Sequence, residues 1–423
     1  MKYRLICPET CQKVNSMARK KTVIIIGTVD TKGPELIYLK EQVIASGCKA
    51  LLMDVGVHNQ SEIAADITVC AVAKSIGEDI ETLRAMPRGV AVEKISTAAA
   101  VHLSQLVAED KAHGVIGLGG SGGTTICAAA MRGLPYGIPK LLVSTLASGN
   151  TKWHVDISDI VMMPSILDIG GLNPMLQMVL KNGAGAIAGM VQRHKPYEPS
   201  GKPVITLTMY GTTTPGVNAT RQAVEHAGYE TWVFHASGVG GRTMERMVSL
   251  GYVYGVVDMT LAEIGAHLIG GLHDAGNNRL EAAGEAGIPQ LIIPGAVDTI
   301  VLPPRDQIPE KFNGRILNFH NPTMTTMRTE PAENTAIGEF IARKLNASKG
   351  LVKVLFPWGG LSSIDLPGKV FYYPEANQAL FDALKKNLDS RIEIIEDEHH
   401  LDDPLFAQRA ATIFLTMLNH AQH

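Results

Sequence analysis

Apolar residues in this chain come in short continuous blocks, each stopped by glycine or a polar turn and followed by an amphipathic stretch. From residue 22, "TVIIIGTVDTKGPELIYLKEQVIASGCKALLMDVGV" gives an apolar block, a glycine turn and apolar positions at helical spacing. Gly47 then stops the helix before a second apolar block. The blocks at 23–26, 50–53, 115–118 and 141–143 are continuous rather than alternating. Strands apolar on both faces predict a parallel sheet covered by helices on each side.

The pattern then repeats. From residue 202, "KPVITLTMYGTTTPGVNATRQAVEHAGYETWVFHASGVGG" runs in the same order. Thr31, Lys32 and Gly33 fall on Thr214, Pro215 and Gly216; Gly47 falls on Gly228; residues 55–57 fall on 237–239. "GIPKLLVS" from Gly137 returns as "GIPQLIIP" from Gly287. Apolar blocks at 204–209, 231–234, 253–257 and 291–293 match the first set, "LVKVLFPWGG" and "RIEIIED" add two strands, and an amphipathic helix spans 404–418. The expected fold is α/β: two Rossmann-like, doubly wound domains with mainly parallel sheets, related by internal duplication. Proline-rich "RHKPYEPSGKP" at 193–203 separates them. The expected divisions are an N-terminal extension over 1–21, an N-terminal α/β nucleotide-binding domain over 22–195 and a C-terminal α/β domain over 202–423.

Composition narrows the class. A chain of 423 residues exceeds one ordinary core. A net charge of −3 offers no broad basic surface for neutralising nucleic-acid phosphates, and no window approaches the ~18 uncharged apolar residues of a membrane span. The 42 glycines suit tight strand-to-helix turns. Cys7, Cys11, Cys48, Cys70 and Cys127 are odd in number and hold no CxxC, so a reducing cytoplasm is the expected location. The basic first residues lack an apolar run, so they are no secretory signal. Residues 1–16, ahead of Met17, read as a disordered or mis-started extension.

In open parallel sheets, ligands bind where loops leave the carboxyl ends of strands. Those loops here are 27–33, 55–58, 119–125 and 144–152. "VIGLGGSGGTT" holds five glycines in the seven residues 117–123. Gly117, Gly119 and Gly122 formally match GxGxxG, but no acidic residue ends the next strand to hold a ribose, and the Walker spacing is absent. Bare amides of Gly119, Gly120, Ser121, Gly122 and Gly123, leading into a helix near Thr124, fit an anion nest; the alternative is that these glycines only permit close helix–sheet packing. In "GTVDTKG", Thr28 and Thr31 offer hydroxyls, Lys32 an ammonium, and Asp30 a carboxylate for Mg²⁺, while helix capping accounts for the same residues. Ser144 opens a polar loop that continues through Asn150, Thr151, Lys152, His154, Asp156, Ser158, Asp159 and Asp168. In the second half, Thr212, Thr213 and Thr214 repeat the threonine turn without its charges, and residues 237–241 form another candidate nest. His235, Glu263, His267, His273 and His320 are candidates for proton transfer.

The blocks "GTVDTKG", "GLGGSGGTT", "STLASGNT", "SDIVMMPSILDI", "FHASGVGGRTME", "GIPQLIIPGAVD", "HNPTMTTMRT" and "DLPGKVFYYPEANQALFDAL" together resemble a family of bacterial and plant proteins. That family is similar to the N-terminal inhibitory domain of the tomato mosaic virus resistance protein, and the likeness runs from about Thr22 to the end. It implies two Rossmann-like domains, a homodimer, and an ATP and Mg²⁺ site. The implied site takes Thr28, Asp30, Thr31 and Lys32 from one loop and Gly119, Gly120, Ser121, Gly122, Gly123 and Thr124 from another, with Ser144 alongside and Asp30 toward the metal. It implies a ligand rather than a reaction. Three functions follow: an ATP-dependent enzyme acting on a small molecule in the cleft between the halves, a non-catalytic nucleotide-responsive dimer or interaction module, and an NAD(P)- or sugar-phosphate-binding enzyme.

Overall fold

The β-branched run after Thr22 forms β1 (Thr22–Gly27), the centre of a parallel sheet with β2 (Lys49–Asp54), β3 (Gly114–Gly119), β4 (Lys140–Ser144) and β5 (Val161–Pro164). The structure, a computed structural model, describes residues 20–59 and 61–421, so the expected extension up to residue 19 lies outside the described residues. The chain divides into two compact units, the first ending at Tyr197 and the second running from Glu198.

In the first unit the strand order is β2-β1-β3-β4-β5. Side chains alternate across a strand, so Val23 and Ile25 join one core layer and Ile24 and Ile26 the other. The first layer takes Leu36, Leu39 and Val43 from helix Val29–Ala45 and Ile187 from helix Pro174–Arg193. The second takes Ile95 from helix Arg88–Ala108 and Ile126 from helix Ser121–Arg132. Each such side chain, fully buried, stabilises the fold by roughly 1.5–3 kcal/mol. The direction of sheet growth reverses between β1 and β3, which opens a crevice at their carboxyl ends. Gly27 pairs in register with Leu118, so the loops after β1 and β3 emerge at the same level.

The second unit contains β6 (Val204–Met209), β7 (Glu230–His235), β8 (Gly255–Asp258), β9 (Gln290–Ile292), β10 (Thr299–Leu302), β11 (Leu317–Asn321), β12 (Met324–Arg328), β13 (Val352–Pro357) and β14 (Glu393–Asp397). Its parallel sheet runs β14-β13-β9-β8-β6-β7. Counted from β7, the order β7-β6-β8-β9-β13 reproduces the first sheet strand for strand. The matched helix stops, Gly47 and Gly228, both take left-handed backbone at φ 90° and 98°. Gly137 and Gly287, at 87° and 70°, do so before β4 and β9. Only glycine tolerates that conformation cheaply, which is why these positions carry the repeat.

Two elements depart from the sequence reading. β5 lies within the polar stretch read as loop; it is a sheet edge, and Val161 and Pro164 are exposed, so it lacks the continuous burial that marks its neighbours. A separate antiparallel sheet, β10-β12-β11, joins the short apolar run of β10 to β11 and β12, whose threonine- and asparagine-rich segments carry no apolar run to announce them. Among the described residues no helix is long and apolar enough to cross a membrane.

Candidate functional site

The loops after β1 and β3 meet over a pocket of about 230 Å³. Of the residues singled out from sequence, Thr28, Asp30, Thr31, Lys32, Gly120, Ser121, Gly122 and Gly123 line it. Helix Ser121–Arg132 starts from Gly120 with no side-chain cap, and the amides of Ser121, Gly122 and Gly123 have no acceptor among the described residues. Orphan amides at a helix start need a partner, and these belong to residues that line the pocket.

Four of the five glycines divide by role. A Cβ on Gly119 would lie 2.5 Å from backbone atoms of Gly123 and Thr124, and one on Gly117 would lie 2.8 Å from Leu142. Those two permit helix–sheet packing. A Cβ on Gly120 would meet nothing within 4 Å, and one on Gly122 would come no nearer than 3.8 Å to Arg88 Nη2. Those two keep the pocket open.

The loop after β1 is more occupied. The Val29 and Gly56 amides both donate to Asp54 Oδ1, at 3.0 and 2.8 Å, so this helix start is already capped. Burial pushes the Asp54 carboxyl above its usual range. Asp30 Oδ2 accepts from the His58 and Asn59 amides, at 3.3 and 3.2 Å. Asp30 Oδ1 packs over Gly56, 2.4 Å from where a Cβ would stand, and has no hydrogen-bond partner. Thr28 and Thr31 share a hydroxyl hydrogen bond of 2.8 Å. Lys32 leaves helical geometry (φ −131°, ψ 25°), and its ammonium donates to the Ile169 carbonyl. Gly171 donates to buried Glu35 at 2.6 Å, so both contacts anchor the loop after β5 to helix Val29–Ala45.

Arg88 is the residue that sequence reasoning missed. It is exposed, begins helix Arg88–Ala108 and lines the pocket opposite Gly122. No motif surrounds it; only the path of its helix brings it there. Val55, Val57, Val92 and Ile126 supply an apolar wall.

Other expected residues stand apart from this pocket. Thr124 is buried, donates to the Gly119 carbonyl (3.1 Å) and shares a 2.6 Å hydrogen bond with Ser144 Oγ, locking the glycine turn onto β4. Gly119 is a packing residue, and Ser144 borders a neighbouring pocket of about 180 Å³ with Asp168. Asp159 holds the buried Lys140 ammonium at 2.6 Å.

In the second unit the candidate nest at 237–241 is filled from inside. The Gly238 and Gly241 amides donate to Glu263 Oε1 at 2.6 and 3.0 Å, and Glu263 Oε2 accepts from Arg279 Nε at 2.8 Å. Arg279 also binds both oxygens of Asp258. Glu263 is therefore a buried structural carboxylate, and His267, four residues on, pairs instead with Asp274 at 2.9 Å. His235 and His273 come together around Tyr210; the His320 side chain lies outside the described residues. Among the described residues no group of three or more His, Cys, Asp or Glu is arranged to hold a metal.

With this geometry in view, comparison with known proteins identifies the family. The Uncharacterised protein family (UPF0261) N-terminal domain matches residues 21–196 and its C-terminal domain matches 202–418. The chain belongs to this family. It is 42% identical over 400 residues to a UPF0261 protein of Clostridium tetani, covering 94% of this chain and 99% of that one. A UPF0261 protein of Rhizobium meliloti is 41% identical over 404 residues, covering 94% and 100%. The ToMV resistance protein Tm-1(GCR237) of Solanum lycopersicum is 37% identical over 424 residues, covering 95% of this chain and 56% of the plant protein.

Proposed function

We propose that this UPF0261 member binds ATP with Mg²⁺ in the crevice between β1 and β3 of its first unit. The observation that carries the reading is the set of unsatisfied amides at Ser121, Gly122 and Gly123, at the positive end of a 12-residue helix. The phosphates lie on those amides, the Thr28 and Thr31 hydroxyls donate to them, and Arg88 and Lys32 balance their charge. Val55, Val57, Val92 and Ile126 receive the base. Charge-assisted hydrogen bonds each contribute roughly 1.5–3 kcal/mol, so three or four reach micromolar affinity, about 8 kcal/mol.

Asp30 is the Mg²⁺-side carboxylate. Its unpartnered oxygen fits a hard cation, and with no three-ligand cluster among the described residues the metal arrives on the nucleotide, which with water completes its shell. The NAD(P) reading is weaker. Asp54 closes β2, where a dinucleotide ribose would be held, but its Oδ1 is already engaged by two backbone amides.

Thermal melting tests the ligand: Mg·ATP is expected to raise the melting temperature and NADH to leave it unchanged, and the reverse overturns the reading. Release of ADP or AMP in the presence of small acids or sugars separates an ATP-dependent enzyme from a non-catalytic module. For the homodimer, the exposed apolar residues Val161, Ile166, Leu167, Met175 and Met178 along and after edge strand β5 are the expected contact face. Light scattering of a Met175→Glu, Met178→Glu variant is expected to show monomer.

A further inference from the structure

We propose that the second unit holds a binding site of its own for a small, uncharged, polyhydroxylated molecule, a sugar or polyol without phosphate. It does not depend on the nucleotide reading of the first unit. It is a pocket of about 450 Å³ at the carboxyl ends of β6 and β7, flanked by residues of the antiparallel sheet β10-β12-β11, which falls in the size range of small-molecule sites.

The chemistry of its walls selects the ligand. None of the lining residues is Asp, Glu, Lys or Arg. Hydroxyls of Thr212, Thr299, Thr326 and Ser363 and the Asn318 amide are groups that both donate and accept, as sugar hydroxyls do. Thr212 Oγ1 is buried and has no hydrogen-bond partner. A buried hydroxyl left without a partner is costly, and a ligand hydroxyl removes that cost. Tyr210 is hydrogen-bonded through its hydroxyl to His273 Nδ1, and its ring stands 5.3 Å from His235. Val301, Met324 and Ile364 offer an apolar face for a carbon skeleton.

The surroundings reject anions. A carboxylate stands at each helix start beside the pocket: Gly216 of helix Thr214–His226 donates to Asp402 at 3.0 Å, and the turn before helix Val239–Ser249 donates to Glu263. Asp298 stands directly behind Thr299, accepting its hydroxyl at 3.1 Å. Burial and the charge of Glu263 together raise the Tyr210 phenol, keeping it protonated. A phosphate entering here would meet negative charge and no Lys or Arg side chain among the lining residues.

The test uses the full chain with selectively labelled histidines, following the His235 and His273 ring resonances by NMR. D-glucose, D-ribose and myo-inositol at about 10 mM are expected to shift them with millimolar affinity. Glucose 6-phosphate and ribose 5-phosphate are expected to bind at least about fivefold more weakly, because like charges are brought together. Thr212→Val removes no internal hydrogen bond. It is expected to weaken the neutral probes about 3–10-fold, with melting temperature and Mg·ATP response unchanged. The proposal fails if the phosphorylated sugars bind as well or better at these resonances. It fails equally if no neutral probe shifts them, or if Thr212→Val binds like the native chain.

Discussion

Gly122 is the second residue of the helix that follows β3; Glu263 is the second residue of the helix that follows β8, the strand in the same place of the second sheet. In the first unit that position is bare, and three amides around it stand open to a pocket holding Arg88 and Lys32. In the second it carries a carboxylate that takes amides at the helix start after β7 and pairs with a buried guanidinium. The duplicated fold thus keeps its strand order while the residue at this position is bare in one unit and part of an internal ion pair in the other. Topology decides where a ligand can sit; the charge of the first helical turn decides which ligand.

Two substitutions test that contrast at its centre. Glu263→Ala removes a partner from buried Arg279 and leaves the Gly238 and Gly241 amides unpaired. Loss of one member of a buried ion pair costs about 3–5 kcal/mol, so urea unfolding is expected to show a drop of that size. A change under about 1 kcal/mol, the range of an exposed pair, would mean that the network is not what closes this corner. Gly122→Val makes the converse change. Its Cβ enters open space near Arg88, so the melting temperature of the free protein should move little, while Mg·ATP affinity falls at least about 100-fold as phosphate is blocked from its amides. Parallel loss of melting temperature and binding would show that Gly122, like Gly119, serves packing.

Much of this frame is legible in the sequence because it depends on local chemistry. Continuous apolar blocks reveal strands buried on both faces, and Gly47 and Gly228 reveal helix stops because only glycine takes their backbone. The glycine run after β3 is equally local, and it forms the pocket floor. What escapes is whatever depends on remote partners. Asp54 and Glu263 are ordinary acidic residues until the fold brings amides to them. Arg88 enters the pocket only because a helix from elsewhere begins beside Gly122, and β5 carries an edge strand's mixed exposure. The sequence alone therefore shows where bare amides lie but not which have been capped from within.

Buried negative charge behind the second pocket gives a pH signature that sharpens the contrast. Burial, and then the charge of Asp365, pushes the Asp298 carboxyl from 3.8 up to about 6. Its folded form holds the proton more tightly than the unfolded chain does. The native state is therefore favoured at low pH, and stability falls as pH rises from about 4 to about 6, then levels. Asp397 and Asp66, whose carboxyls are held low by their hydrogen bonds and cationic partners, slope the other way, so the signal is the difference between native and Asp298→Asn chains. Across pH 4–6 that difference should grow in favour of the variant, whose amide carries no charge at any pH in this window. A flat difference would remove Asp298 from the charge behind the pocket.

Arg88 provides the smallest and most discriminating change. It is exposed and begins its helix, so Arg88→Ala should leave the fold intact and weaken Mg·ATP by about 10-fold, the loss of one charge-assisted contact. Arg88→Lys keeps the charge but loses the planar fork that grips two phosphate oxygens. If Arg88 works by bidentate contact, the lysine variant should resemble alanine; if it only supplies positive charge near the glycine turn, lysine should bind nearly as well as the native chain. Titrating both variants at low and high salt separates these cases. A loss from missing charge shrinks as ions screen it, and a loss from missing geometry persists. Persistence would place the specificity of the first unit in a side chain that the duplicated second unit has no counterpart for in its uncharged pocket.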